Sequence, residues 1–138
     1  MQIVRDNRWL LYRLGEIWDR YFPDISQNNP VVIRFGRYSK FRLGSIKLDR
    51  KHNLSLITIT AMFKNSQIPQ SVIDHTIAHE LVHYTHGFSS QRKRLLRYPH
   101  AGGVVKREME ERGLGHLYKA YRDWVKEYKK LLGNHDYK

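Results

Sequence analysis

The segment between Pro69 and Gly87 constrains the fold of this chain more than any other stretch of its sequence. Proline is favoured at the first position of a helix and glycine just past its end, so residues 69 to 86 are predicted to form about five helical turns. One face of this helix is apolar and indicates packing on a core. The members of that face are Ile73, Ile77, Leu81, Tyr84 and Phe88.

The opposite face of the same helix carries four histidines, namely His75, His79, His83 and His86. Residues 79 to 83 read His-Glu-Leu-Val-His, an HExxH sequence. Its two histidines stand one turn apart, about 6 Å along the helix axis, close enough to bind one ion jointly. Glu80 would project beside that ion, where it can take a proton from a metal-bound water. This pattern predicts His79 and His83 as zinc ligands and Glu80 as the general base of a hydrolase.

The other two histidines lack this arrangement. Neither the pair 75/79 nor the pair 83/86 has a glutamate in the base position. We interpret His75 and His86 as structural, and leave open that they act as hydrogen-bond donors beside the site or as contacts for a product.

The chain contains no cysteine, which excludes disulfides, thiolate nucleophiles, iron–sulfur clusters and Cys-ligated zinc fingers. Any metal must be held by histidine and carboxylate.

Catalytic zinc usually takes three protein ligands. His100 is the preferred third ligand, because it lies at a loop-to-helix junction where the glycines that follow permit close approach. Glu108 is the rival, either as a ligand or as the i to i+4 partner of Arg112; the remaining candidates are Glu111 and His116.

Around these residues the sequence resembles the SprT-like zinc metallopeptidase domain of the zincin group, over roughly residues 5 to 115. The resemblance rests on the order of elements, on Leu43-Gly44-Ser45, on Ser55-Leu56-Ile57-Thr58, on the segment from Ile77 to His83, and on His100 followed by glycine and a helix containing Met109. It implies His79, His83 and His100 as zinc ligands, Glu80 as general base, and proteolysis of proteins associated with DNA. Relatives of this type often carry a Cys-ligated zinc ribbon, so here any DNA contact is expected from the peptidase domain itself.

The rest of the chain predicts an α+β, zincin-like domain of small size. An amphipathic helix is expected over residues 3 to 22, and β-like runs start at Val31, Phe41 and Asn53. We expect them to form a three-stranded antiparallel or mixed sheet, with a bulge at Gly44-Ser45, where the apolar residues of the second run change parity. Two further helices, separated near Gly113 and Gly115, follow the HExxH helix. At this length we expect one domain, residues 1–138, of which 115–138 form the last helix and tail.

The charge is strongly basic, with 25 Lys and Arg against 13 Asp and Glu and a formal net charge of +12. Two clusters with neighbouring aromatic residues favour non-specific DNA binding through phosphate contacts. The simpler alternative is a solvated basic surface, and an anionic membrane surface ranks behind nucleic acid as a partner. The predicted nucleic-acid-binding residues are Arg34, Arg37, Lys40, Arg42, Arg92, Lys93, Arg94 and Arg97.

Together these features predict a zinc-dependent metalloendopeptidase with a polypeptide substrate, possible action on DNA-associated proteins, and Zn²⁺ as its cofactor. The alternative is a basic nucleic-acid-binding module with a structural or vestigial metal site. Charged residues interrupt the apolar positions of the N-terminal segment, which therefore does not read as a signal peptide or membrane span, and we expect a cytoplasmic location.

Overall fold

The protein is α+β. The computed structural model describes residues 3–87 and 103–133, without the side chains of residues 132 and 133. These residues form four α-helices and one three-stranded sheet. None of these helices combines the length and the apolar character needed to cross a bilayer. The helices are α1 (Asn7–Tyr21), α2 (Gln70–Thr85), α3 (Val104–Glu111) and α4 (Gly115–Gly133), the strands are β1 (Val31–Phe35), β2 (Gly44–Asp49) and β3 (Leu54–Ile59), and a 3-10 turn spans Ala61–Lys64.

The sheet is mixed, with the strand order β1-β3-β2. β1 runs parallel to β3, and β2 runs antiparallel to it. Alternate residues of the central strand β3 face the core, where Ile57 and Ile59 are fully buried. β2 forms one edge of the sheet and packs against α2.

The predicted bulge at Gly44-Ser45 is wrong. β2 begins at Gly44, and its pairing with β3 runs without interruption from Gly44 opposite Ile59 to Asp49 opposite Leu54. The change of parity arises because the residues before Gly44 precede the strand, and Phe41 among them is 66% exposed.

The N-terminal helix is shorter than predicted, because it begins at Asn7 rather than near residue 3. The side chain of Asp6 accepts a hydrogen bond from the backbone N–H of Trp9 at 2.9 Å and so caps the helix. The third β-like run is also shorter, since β3 ends at Ile59 and the Thr60 side chain then caps the 3-10 turn.

α2 is buried on almost all sides, because it lies against α1, β2, β3, α3 and α4. The predicted apolar face is buried, with Ile77 fully enclosed in the core. The histidine face is covered as well, since the two C-terminal helices pack onto α2 and His75, Glu80 and His83 are also buried. The helix starts one residue later than predicted, with Pro69 in the capping position.

α4 packs through a stripe of aromatic residues. Tyr121, Trp124 and Tyr128 lie against the core. The Trp124 ring meets Phe63 edge to face at 5.9 Å and stacks on Tyr128 at 4.6 Å between ring centroids. This packing places Tyr121 beside α2.

Candidate metal and catalytic site

His79 and His83 converge on one point. Their Nε2 atoms lie 3.1 Å apart, and their rings are nearly perpendicular, with an interplanar angle of 82°. As a hydrogen bond, this contact requires one ring to donate from Nε2 and the other to accept at an Nε2 without a proton. With zinc–nitrogen distances near 2.0–2.1 Å and tetrahedral geometry, two histidine nitrogens on one zinc lie about 3.3 Å apart. The pair therefore fits the distance that joint coordination of one ion requires, and imidazole suits zinc.

The other two histidines point elsewhere. The ring centroid of His75 is 6.1 Å from that of His79, and His75 instead stacks on Tyr121 at 4.2 Å with an interplanar angle of 10°. His86 follows the end of α2, and its Nε2 lies 3.2 Å from Glu108 Oε1. Neither ring joins the His79–His83 pair.

Glu108 is engaged away from that pair. Its Oε2 accepts a hydrogen bond from Arg112 Nε at 2.7 Å, which confirms the i to i+4 interpretation, and its Oε1 contacts His86. Arg112 also donates to both oxygens of Asp24, at 2.7 and 3.0 Å. This cluster ties α3 to the end of α2 and to the chain after α1.

The third ligand remains a prediction. In residues 3–87 and 103–133, no three His, Asp or Glu side chains group closely enough to hold a metal ion. Glu111 and His116 are exposed. The preferred third ligand, His100, lies outside the described residues, as do Arg92, Lys93, Arg94 and Arg97.

Glu80 is buried at the base of a cleft of about 240 Å³ that is also lined by His79, Thr76 and Gly44. The residue is only 6% exposed. Burial raises the pKa of Glu80 to about 7, against an opposing effect of the Arg42 charge. A carboxyl group with this pKa can both accept and release a proton near neutral pH.

Gly44 brings the start of β2 directly onto α2. A Cβ atom at this position would lie 2.6 Å from Thr76 Cγ2 and 3.3 Å from Glu80 Oε2. The position therefore requires glycine, because its backbone lies close to Thr76 and Glu80. The sequence predicts a bulge at this glycine, and the Leu43-Gly44-Ser45 segment contributes to the resemblance to the SprT-like domain. Neither observation predicts that the glycine lies close to Glu80.

Three of the described basic residues predicted to bind nucleic acid share one groove. Arg34, Arg37 and Arg42 line a groove of about 500 Å³ together with Tyr38 and Lys47. Arg42 also borders the cleft of Glu80, so the groove and the cleft adjoin. Lys40 does not line this groove, and lies beside α4, where its carbonyl oxygen accepts a hydrogen bond from the Tyr128 hydroxyl.

Comparison of the chain with protein-family models, with curated proteins and with solved structures found no match. Function is therefore inferred from the side chains themselves. The two features that bear on it are the paired histidines with Glu80 on α2 and the basic groove on the sheet.

Proposed function

We propose that this chain is a zinc-dependent metalloendopeptidase of the SprT-like kind, in which His79, His83 and His100 hold the metal and Glu80 is the general base. The observation that carries the proposal is the 3.1 Å approach of the two Nε2 atoms on the helix that also buries Glu80 beside a cleft. Two imidazoles and an adjacent carboxylate are the groups that zinc-dependent hydrolysis requires.

Zinc bound at these residues supplies a Lewis acid that polarises the peptide carbonyl and lowers the pKa of a water molecule to ~7. Glu80 takes the proton from the attacking water and delivers it to the nitrogen of the leaving amine. The burial that raises its pKa to about 7 suits both halves of this transfer, because the group gains and loses a proton near working pH.

The substrate we propose is polypeptide. The cleft of Glu80 is bounded by residues 41 to 44 at the start of β2. Among the described strands, β2 lies at an edge of the sheet, the kind of position at which an extended peptide can add as a further strand. Pairing through the backbone gives affinity with little dependence on sequence.

The test is peptide hydrolysis by the zinc-loaded chain and by its Glu80→Gln variant. We expect the variant to keep its fold and zinc and to lose about 10²–10⁴-fold in kcat, because the amide cannot accept the proton. Glu16→Gln, an exposed change on α1, is the matched control and should retain full activity. Equal activity of wild type and Glu80→Gln would eliminate Glu80 as the base.

A second candidate function is binding of nucleic acid, with a structural or vestigial metal site. The groove lined by Arg34, Arg37, Arg42 and Lys47 favours it, since clustered cations contact phosphates. The two functions are compatible in a peptidase that acts on DNA-associated proteins, because the groove adjoins the cleft at Arg42. DNA binding together with no peptide cleavage by the zinc-loaded wild type would favour the second function alone.

A further inference from the structure

His75 is a buried polar residue with unused hydrogen-bonding capacity. The residue is only 4% exposed. Neither its Nδ1 nor its Nε2 atom has a hydrogen-bond partner among the described residues. Burial lowers the pKa of His75 to about 4, so the ring is neutral at physiological pH. Leaving a buried polar group without a hydrogen-bond partner destabilises the folded chain. A residue retained for packing alone would avoid this cost as phenylalanine, since stacking on Tyr121 needs no ring nitrogen.

The ring of His75 lies at the boundary of two cavities. One is the cleft that contains Glu80. The other is a cavity of about 230 Å³ that His79 also borders and that lies between α2, α3 and α4. Because His79 lines both, the second cavity is next to the position at which zinc is proposed to bind.

The walls of the second cavity suit an aromatic ring. Val105 and Met109 contribute aliphatic surface, and Tyr118 and Tyr121 contribute aromatic surface. Both tyrosine rings flank His75, with centroids at 6.0 and 4.2 Å. Aromatic rings pack favourably edge to face or offset at such distances. Lys106 also borders the cavity, with its ammonium group 5.1 Å from the centre of the Tyr118 ring.

The polar group that matches a neutral imidazole is one that both donates and accepts. A neutral imidazole has one N–H donor and one acceptor nitrogen, and a phenol hydroxyl can pair with either. A phenol thus satisfies His75 whichever nitrogen carries the proton. A ring with a hydroxyl at its far end has both the apolar body and the polar tip that this cavity can receive.

We propose that the cavity between α2, α3 and α4 is a specificity pocket for a tyrosine side chain of the substrate, close to the scissile bond, with His75 as the residue that pairs with its hydroxyl. The location of the pocket at a cleavage site rests on the proposed function, whereas binding of a phenol does not. A site built to hydrogen-bond a hydroxyl discriminates strongly against the analogue that lacks it, because its own polar group is then left unpaired.

The first test measures binding alone. The zinc-loaded chain, with ¹⁵N in its histidine rings, is titrated by NMR with 4-methylphenol and, separately, with toluene. We expect 4-methylphenol to bind at least 10-fold more tightly and to shift the ring nitrogens of His75. His75→Phe should bring the two affinities to within about 3-fold, whereas His52→Phe, at an exposed position, should leave the preference intact. Equal affinity of the wild type for both compounds would overturn the pocket.

The second test measures cleavage. Tyrosine and phenylalanine are placed in turn at each position around the scissile bond of one peptide. We expect one position at which tyrosine raises kcat/KM at least 10-fold over phenylalanine, with the preference lost in His75→Phe and zinc content unchanged. Val105→Trp, which places a large side chain in the cavity, should abolish the preference for tyrosine over phenylalanine.

The outcomes separate the two proposals. No cleavage of any peptide by the zinc-loaded wild type contradicts the proposed function, while the 4-methylphenol titration still decides the pocket. Cleavage with no preference for tyrosine at any position contradicts the pocket and leaves the peptidase in place. If His75→Phe does not fold, Val105→Trp decides in its stead, and an unchanged tyrosine preference in that variant overturns the pocket.

Discussion

The Nε2 atoms of His79 and His83 lie 3.1 Å apart on successive turns of α2. The helix backbone sets this distance, and burial of α2 beneath α3 and α4 holds the helix in place. The fold itself therefore orients the two proposed ligands, and the entropy of bringing them together is lost on folding rather than on metal binding. Glu80 lies on the same helix, so the proposed base keeps a fixed position relative to the proposed ligands.

Gly44→Ala should disturb the base through a steric contact. The new Cβ would meet Thr76 Cγ2 at 2.6 Å and Glu80 Oε2 at 3.3 Å, and overpacking of this kind costs about 1–3 kcal/mol. We expect a lower free energy of unfolding, measured with urea, and reduced peptidase activity. Thr76→Ser removes only the clashing methyl group and keeps the hydroxyl that donates to the Val72 carbonyl oxygen. The double variant Gly44→Ala/Thr76→Ser should therefore regain much of the stability and activity that Gly44→Ala loses.

Gly15→Ala is the control for that substitution, because nothing lies within 4 Å of a Cβ at this exposed helical position. Alanine at position 15 should leave the free energy of unfolding unchanged or raise it by up to about 1 kcal/mol. A Gly44→Ala variant that is as stable and active as the wild type would show that β2 does not approach Glu80 closely.

The stability of the metal-free chain should depend on the ionisation of Glu80. Its pKa is raised in the folded chain to about 7 by burial, so between about pH 4.5 and 7 the folded chain binds more protons than the unfolded chain. The free energy of unfolding contributed by this group is therefore fully present at low pH and is lost as pH rises to about 7. Glu80→Gln should be the more stable form above pH 7, by up to about 3 kcal/mol.

Urea unfolding of EDTA-treated wild type and Glu80→Gln at pH 5 and pH 8 measures this difference. The variant comparison cancels the opposite contribution of His75, whose lowered pKa makes stability rise with pH below about 6.5. Parallel pH profiles for the two proteins would mean that Glu80 is not buried as a titrating group.

The choice of third ligand can be tested by zinc content. We expect His100→Ala to lose zinc, and Glu108→Gln to keep it, because Glu108 already pairs with Arg112 and His86. Glu108→Gln should instead lower the melting temperature, since Arg112 loses one of its carboxylate partners. Full zinc in His100→Ala with loss of zinc in Glu108→Gln would reverse the assignment.

The parts of this site that sequence could predict are local. The HExxH spacing and the flanking Pro69 and Gly87 predict a helix, and helix geometry alone brings His79 next to His83. The observed helix differs from the predicted one by a single residue at each end.

The parts that sequence could not predict depend on contacts between distant segments. The stacking of Tyr121 on His75, the bridge from Asp24 to Arg112, and the approach of Gly44 to Thr76 each join residues far apart in the chain. No periodicity or composition reports such pairs. The burial of the histidine face of α2 was missed for the same reason, because it depends on where α3 and α4 pack.

DNA binding should weaken with salt and depend on the groove of Arg34, Arg42 and Lys47. Replacing all three with alanine should reduce the slope of log affinity against log salt by about 0.9 for each phosphate contact removed. Fluorescence anisotropy with a labelled duplex at several salt concentrations measures the slope.

The control replaces three exposed lysines of α4 with alanine, namely Lys126, Lys129 and Lys130. It removes the same number of positive charges outside the groove. It should bind DNA with nearly the wild-type slope. An affinity that does not change with salt, or an equal effect of the two triple variants, would exclude the groove as a phosphate-binding surface.

The most direct measurement is the zinc bound per chain after dialysis against a zinc buffer, determined by mass spectrometry of the elements. The His79–His83 pair predicts one zinc per chain in the wild type, loss of that zinc in His79→Ala/His83→Ala, and retention in the control His52→Ala/His116→Ala, which changes two exposed histidines. A folded wild type without zinc, or equal zinc in both double variants, would contradict the metal site and with it the proposed peptidase.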